Sequence, residues 1–401
     1  MFDLEERLGG LRGAGGGRRT RVVSGPQGPR VLLDGRPVLL LCSDNALGFA
    51  DHPRVREAAS DAAMRWGVGA GAPRLVSGHM TVHRRLEERL AEFHDAERCV
   101  LFPSGSQAAA GVLGALAGPG DVIFCDAANH PAMADACRLS DAETLVYDHV
   151  DLDHLAFGLE DARGRPAVVV TDAVFALEGD VAPLEGLVEL AQSHAALLVV
   201  NESLGLGALG PGGRGAVAEA GVEDEVDVVL GTLGKALGAC GGYACGDRAV
   251  VRSLLARARP LHHATAPPPP AVASALAALE LLLRGPERVQ RLADNGRVLR
   301  EALAAEGLSS DPSSTHVMAL AAPSDEAAER AAELALARGV LVEAARAQPD
   351  GVGGPALRLA AMSSHTRREL RAAAGVLTAA LAAVRPAPSG PRVFDALAEA
   401  A

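Results

Sequence analysis

Seven short apolar runs punctuate the middle of the chain: CVLF (99–102), DVIFC (121–125), TLVY (144–147), AVVVTD (167–172), LLVVN (197–201), DVVLG (227–231) and GYAC (242–245). None alternates apolar with polar residues, so none reads as a strand with one wet face. Each predicts a strand buried on both sides, and the segments between them carry helical patterns, as at 106–117 and 185–194. A sheet covered on both faces by helices is a mainly parallel α/β domain. Upstream, HRRLEERLAEF sets Leu86, Leu90 and Phe93 on one face of a further core helix over 83–94.

The pattern changes after TAPPPP (265–270) and the long apolar helix AVASALAALELLL. Beyond Arg284-Gly285-Pro286 the order becomes helix, strand THVMALAA, helix, strand VLVEA, strand ALRLAAM, helix. The expected division is an N-terminal segment, 1–50, packing with the small domain; a large domain, 51–285; a small α+β domain, 286–385; and a tail, 386–401. A chain of 401 residues is long enough for two cores.

Net charge of -12 argues against a nucleic-acid partner, and Arg18, Arg19 and Arg21 read as solvated. The start, MFDLEERLGGLRG, lacks the basic and apolar blocks of a secretory signal, and no apolar run reaches membrane-spanning length, so the expected location is the cytoplasm. Six scattered cysteines form no CxxC pair, which predicts reduced thiols and no metal site.

Lys235, in GTLGKALGACGG, is the only lysine in the chain; the other 37 of 38 basic residues are arginine. A guanidinium keeps its proton, whereas an amine can lose it and attack a carbonyl. Every cation needed for charge alone has become arginine, so Lys235 is a candidate nucleophile. FPSGSQAAAGVLGAL follows a strand and opens a helix, where the amides near Gly105 and Ser106 would face a phosphate. An amine and a phosphate cradle on one α/β sheet suggest pyridoxal phosphate (PLP).

Five segments, GVGAGAPRLVSGHMTVHRRLEERLAEF, FPSGSQAAAGVLGAL, DAANH, VVVTDAVFALEGDVAPL and GTLGKALGACGGY, stand in the order and at the spacing of the α-oxoamine synthases, a family this chain resembles over about residues 40–385. The resemblance implies a fold-type I PLP-dependent transferase, homodimeric, with its site at the subunit interface. Such enzymes join an amino acid to an acyl thioester of coenzyme A or a carrier protein, and decarboxylation yields an amino ketone. It also implies roles. Lys235 holds the cofactor through a Schiff base, and His130 stacks on its ring and assists proton transfer. Gly105, Ser106, Asp172, Asn201 and Thr232 complete the cofactor site, with Thr265 from the neighbouring subunit. Arg358 forks onto the amino-acid carboxylate, and Asn45, matching the asparagine of the family's opening motif, is the second substrate-binding residue. His83 is expected to be structural.

Three positions depart from that pattern. Asn201 replaces an aspartate that supports the ring nitrogen, Leu204 replaces a histidine on the phenolic oxygen, and Ala176 replaces a serine. Milder departures are Ala46 and the RAQPDG stretch. The trio motivates a second reading, a catalytically weakened relative acting as a binding or partner subunit; an aminotransferase is a third.

Overall fold

The computed structural model describes residues 20–347 and 353–385. Arg18, Arg19, most of the RAQPDG stretch and the tail from Pro386 lie outside the described residues.

An antiparallel ribbon opens the described chain: β1 (Val23–Ser24), β2 (Arg30–Leu33) and β3 (Arg36–Leu40). The central sheet follows, built from β4 (Arg98–Phe102), β5 (Val122–Asp126), β6 (Glu143–Tyr147), β7 (Ala167–Asp172), β8 (Leu197–Asn201), β9 (Val228–Thr232) and β10 (Gly242–Gly246). Every apolar run of the sequence is one of these strands. Their spatial order is β4-β10-β9-β8-β7-β5-β6, and β10 alone runs opposite to the other six.

Successive residues of a strand point to opposite faces, which is why the runs had to be continuously apolar. Val169, Leu198, Val200 and Val229 enter one core with Leu86, Leu90 and Phe93 of the helix Thr81–Phe93. Val168, Val170, Val199 and Leu230 enter the other, against the helix Gly105–Leu116. His83 is fully buried; its Nδ1 accepts the Met80 amide and its Nε2 bonds the Pro267 carbonyl at 2.8 Å. Burial holds its pKa down at about 4, so it is a neutral core residue.

Near the C-terminus lie β11 (Val317–Ala321), β12 (Val340–Leu341), β13 (Glu343–Ala345) and β14 (Ala356–Ala360). VLVEA is not the single strand expected from sequence. Val340 and Leu341 pair in parallel with β3, whereas Glu343–Ala345 pair with β14 in a separate sheet ordered β11-β14-β13. The buried Val342 sits at the switch, so both halves keep ladder partners while the chain changes sheets. Leu39 of the ribbon shares one core with Leu299, Leu359 and Leu377. Of the cysteines, four are buried, Cys42 is half-buried and Cys240 is exposed.

Candidate active site

Parallel strands aim their C-terminal ends at one edge of the sheet, where ligands of open α/β folds bind. Asp172 closes β7, Asn201 closes β8 and Thr232 closes β9. In the β7–β8 register Asp172 stands opposite Asn201, so two residues far apart in sequence become lateral neighbours. These strand ends open into a cavity also lined by Gly105, Ser106, His130 and Lys235, with Val174, Ala176 and Leu204 as an apolar wall.

The floor is a hydrogen-bonded chain. Asn201 Nδ2 donates to Asp172 Oδ1 at 2.6 Å, and the His130 amide donates to Asp172 Oδ2 at 2.8 Å. The Asp172 amide in turn donates to Asn129 Oδ1. Asp172 is 2 % exposed. Burial raises its pKa to about 6, against the pull of its hydrogen bonds and of Lys235. His130 caps the helix Pro131–Leu139, its Nδ1 accepting the Ala132 amide, so a neutral ring carries its proton on Nε2. Partial desolvation at the cavity, then Lys235 and Arg358, lower its pKa and favour that neutral form. Lys235 has a lowered pKa too: desolvation outweighs the attraction of Asp44 and Asp172.

Two glycines show why the GTLGKALGACGG stretch is so sparse. Gly238 has φ +61°, and a Cβ there would meet the Ala50 nitrogen at 2.3 Å. A Cβ on Gly242 would meet the Ser104 carbonyl oxygen at 2.4 Å. Ser104 itself caps the helix Gly105–Leu116 by accepting the Gln107 amide.

The two residues expected to bind the substrate, Arg358 and Asn45, are both hydrogen-bonded within the chain. Arg358 is 8 % exposed and its three nitrogens are engaged. Nε donates to the Ala176 carbonyl at 2.5 Å, Nη2 to Asp44 Oδ1 at 3.0 Å, and Nη1 to Glu343 Oε2 at 3.4 Å. Asn45 turns away: its Nδ2 donates to the Gln27 carbonyl and its Oδ1 accepts the Ala50 amide. The residue that reaches Arg358 is therefore Asp44, which sequence reasoning passed over for its neighbour. Ser203 was also missed; it lines the cavity and bonds Asn201. Thr265 is exposed, bridged to Pro73, and lies outside the cavity lining.

Leu204 and Ala176 belong together. Leu204 packs in one cluster with Val174, Val317 and Ala360, and Ala176 lies against it. The two departures that remove polar groups thus make one continuous apolar wall.

A phosphorylated aldehyde cofactor requires an anion seat, a primary amine and a group facing its ring nitrogen. The helix start at Gly105 and Ser106 beside Thr232 offers the first, Lys235 the second and the Asp172–Asn201 floor the third. A Cβ at residue 105 would sit 3.2 Å from Thr232 Cβ, so glycine keeps that seat open. The residues present fit PLP.

The family model for aminotransferases of class I and II matches residues 36–377. The 8-amino-7-oxononanoate synthase of Anaeromyxobacter dehalogenans is 44% identical over 94% of this chain and 95% of its own length. That of Citrifermentans bemidjiense is 41% identical over 94% and 97%. The chain belongs to the α-oxoamine synthases, within the class I and II aminotransferase family. Among solved structures, serine palmitoyltransferase from S. paucimobilis superposes with a TM-score of 0.90 at 27% identity, over 96% of this α-oxoamine synthase and 99% of that chain. The Sphingomonas wittichii enzyme gives 0.88 at 29% identity, over 95% and 96%. Like its relatives, this α-oxoamine synthase has the fold-type I architecture, uses PLP and is a PLP-dependent C-acyltransferase. A partner subunit without chemistry gains no support from them. No helix among the described residues is long and apolar enough to cross a membrane.

Proposed function

We propose that this α-oxoamine synthase condenses a small amino acid with an acyl thioester of coenzyme A or a carrier protein, and releases carbon dioxide. The observation that carries the reading is the chain's single lysine lining the cavity at the strand ends, beside the buried Asp172 and within the electrostatic reach of the Asp44–Arg358 pair. The names of the relatives, 8-amino-7-oxononanoate synthase, support an amino-ketone product.

When bound, PLP supplies an aldehyde that condenses reversibly with primary amines and a ring that withdraws electron density from the α-carbon. The remaining work falls to side chains. The lowered pKa of Lys235 keeps a share of its amine neutral and nucleophilic. Neutral His130, with Nε2 free of the helix cap, can hold or pass the α-proton. Gly105, Ser106 and Thr232 seat the phosphate, and Arg358 orients the substrate carboxylate. The wall of Val174, Ala176 and Leu204 presents no polar side-chain group to the cavity. In the overall reaction the α-carbon bonds to the thioester carbonyl and the C–S bond breaks. Thiol and carbon dioxide leave, and one proton is taken up. A homodimer in which the exposed Thr265 of one copy reaches the phosphate of the other completes the proposal.

Reconstituted enzyme, given amino acids and acyl thioesters in pairs, tests this by mass spectrometry of products and by thiol release. An amino ketone formed together with free thiol is expected. Conversion of the cofactor to pyridoxamine phosphate without any ketone would sink the reading in favour of transamination.

A further inference from the structure

The cavity floor holds a negative charge, but not at residue 201. Asn201 Oδ1 already accepts from the Ser203 amide at 3.2 Å and from the Ser203 hydroxyl at 2.6 Å. An amide oxygen has two lone pairs, so both are taken. Turning the amide over would set its oxygen against the Asp172 carboxylate and leave Ser203 without an acceptor, so the network fixes the orientation. Asn201 thus has no acceptor to offer a protonated ring nitrogen.

Asp172 does. Its Oδ1 takes Asn201 Nδ2 and its Oδ2 takes the His130 amide, and each oxygen keeps a second acceptor position. It is the one carboxylate among the lining residues. At 2 % exposure it sits where a charge acts at low dielectric.

We propose that Asp172, oriented by Asn201, is the acceptor and counter-charge for the protonated ring nitrogen of PLP in this chain. The inference rests on reading the cavity as the cofactor's seat. Asn201 is then a positioning residue and Asp172 the group that touches the ring. An aspartate at 201 would add little, because two carboxylates 2.6 Å apart share one proton and together carry the charge the Asp–Asn pair already has.

The test follows the ring nitrogen itself. Protein stripped of cofactor is reloaded with PLP carrying 15N in the ring, and the nitrogen shift is recorded from about pH 6 to 9, a span across which a nearby carboxylate should hold the proton. The wild type is expected to give the protonated shift throughout. Asp172→Asn should move the signal to the unprotonated position and weaken cofactor binding on the order of tenfold. Asn201→Asp should leave the protonated signal where it is. Asn201→Ala, which keeps the carboxylate, should retain that signal even if Asp172→Asn fails to fold. An unprotonated nitrogen in the wild type, a protonated one in Asp172→Asn, or loss of the signal in Asn201→Ala would overturn the proposal. A protonated ring in an enzyme that forms no amino ketone would instead overturn the acyl-transfer reading alone.

Discussion

Asp44 Oδ1 lies 3.0 Å from Arg358 Nη2, so the guanidinium expected to meet a substrate carboxylate already holds one from its own chain. Burial would raise the Asp44 pKa, but Arg358 and then Lys235 overcome it and hold the side chain ionised. An incoming carboxylate must share or displace this partner. Asp44→Asn should therefore tighten amino-acid binding by about tenfold, equivalent to ~1.4 kcal/mol. Titrating the visible spectrum of the holoenzyme with amino acid measures it; weaker binding in Asp44→Asn would show that Asp44 assists the substrate.

Gly105→Ala tests the anion seat. The added methyl would stand 3.2 Å from Thr232 Cβ, which must give by a few tenths of an ångström, and in ordinary contact with its hydroxyl at 3.5 Å. Cofactor affinity should fall about tenfold with melting of the cofactor-free protein unchanged, since an alanine near a helix start is well tolerated. Equal loss in both would mark a packing defect rather than a seat.

Glu202 is fully buried, accepts the Val217 amide at 2.7 Å, and has an Oε2 without a hydrogen-bond partner among the described residues. Burial raises its pKa to about 7 from a usual 4.5. The sign follows from linkage: its favourable contribution is whole below the unfolded value and lost as pH rises through the folded one. Glu202→Gln cannot ionise. The variant should gain roughly 2 kcal/mol on the wild type between about pH 5 and 8. Parallel melts at the two pH values check this, and a constant gap would refute it.

His149 bridges Asp126 Oδ1 at 2.8 Å and Asp180 Oδ2 at 2.9 Å, tying the end of β5 to the turn after β7. Burial would lower its pKa, yet these two carboxylates raise it to about 10. A raised histidine stabilises fully below its unfolded pKa, about 6.5, and loses that contribution as pH climbs to about 10. His149→Gln should be destabilised by about 2 kcal/mol near pH 6. Chemical denaturation at pH 6 and pH 9.5 should show the deficit shrinking; a deficit that grows with alkalinity would contradict the bridge.

The central sheet was legible because burial on both faces leaves a run of uninterrupted apolar residues, and all seven runs became its strands. The passage of 340–345 between two sheets was not legible, since Val342 looks the same inside a strand or at a switch. The lysine and the glycine–serine turn, which line one cavity, could be picked out from residue type and local order alone. What escaped was direction and register. Asp44 and Asn45 are adjacent, and only the folded loop decides which one reaches Arg358. Likewise the contact between Asp172 and Asn201 comes from the pairing of β7 with β8, a non-local fact that neither segment encodes by itself.

Gly238, three residues beyond the amine, rests on the backbone of Ala50, whose amide is held by Asn45. The turn that carries Lys235 and the loop that carries Asp44 are consequently keyed to each other through a close backbone contact with no room for a methyl. A side chain at 238 would push the Asn45–Ala50 loop off the lysine turn, so the spacing between the amine and the acid beside the guanidinium depends on that joint.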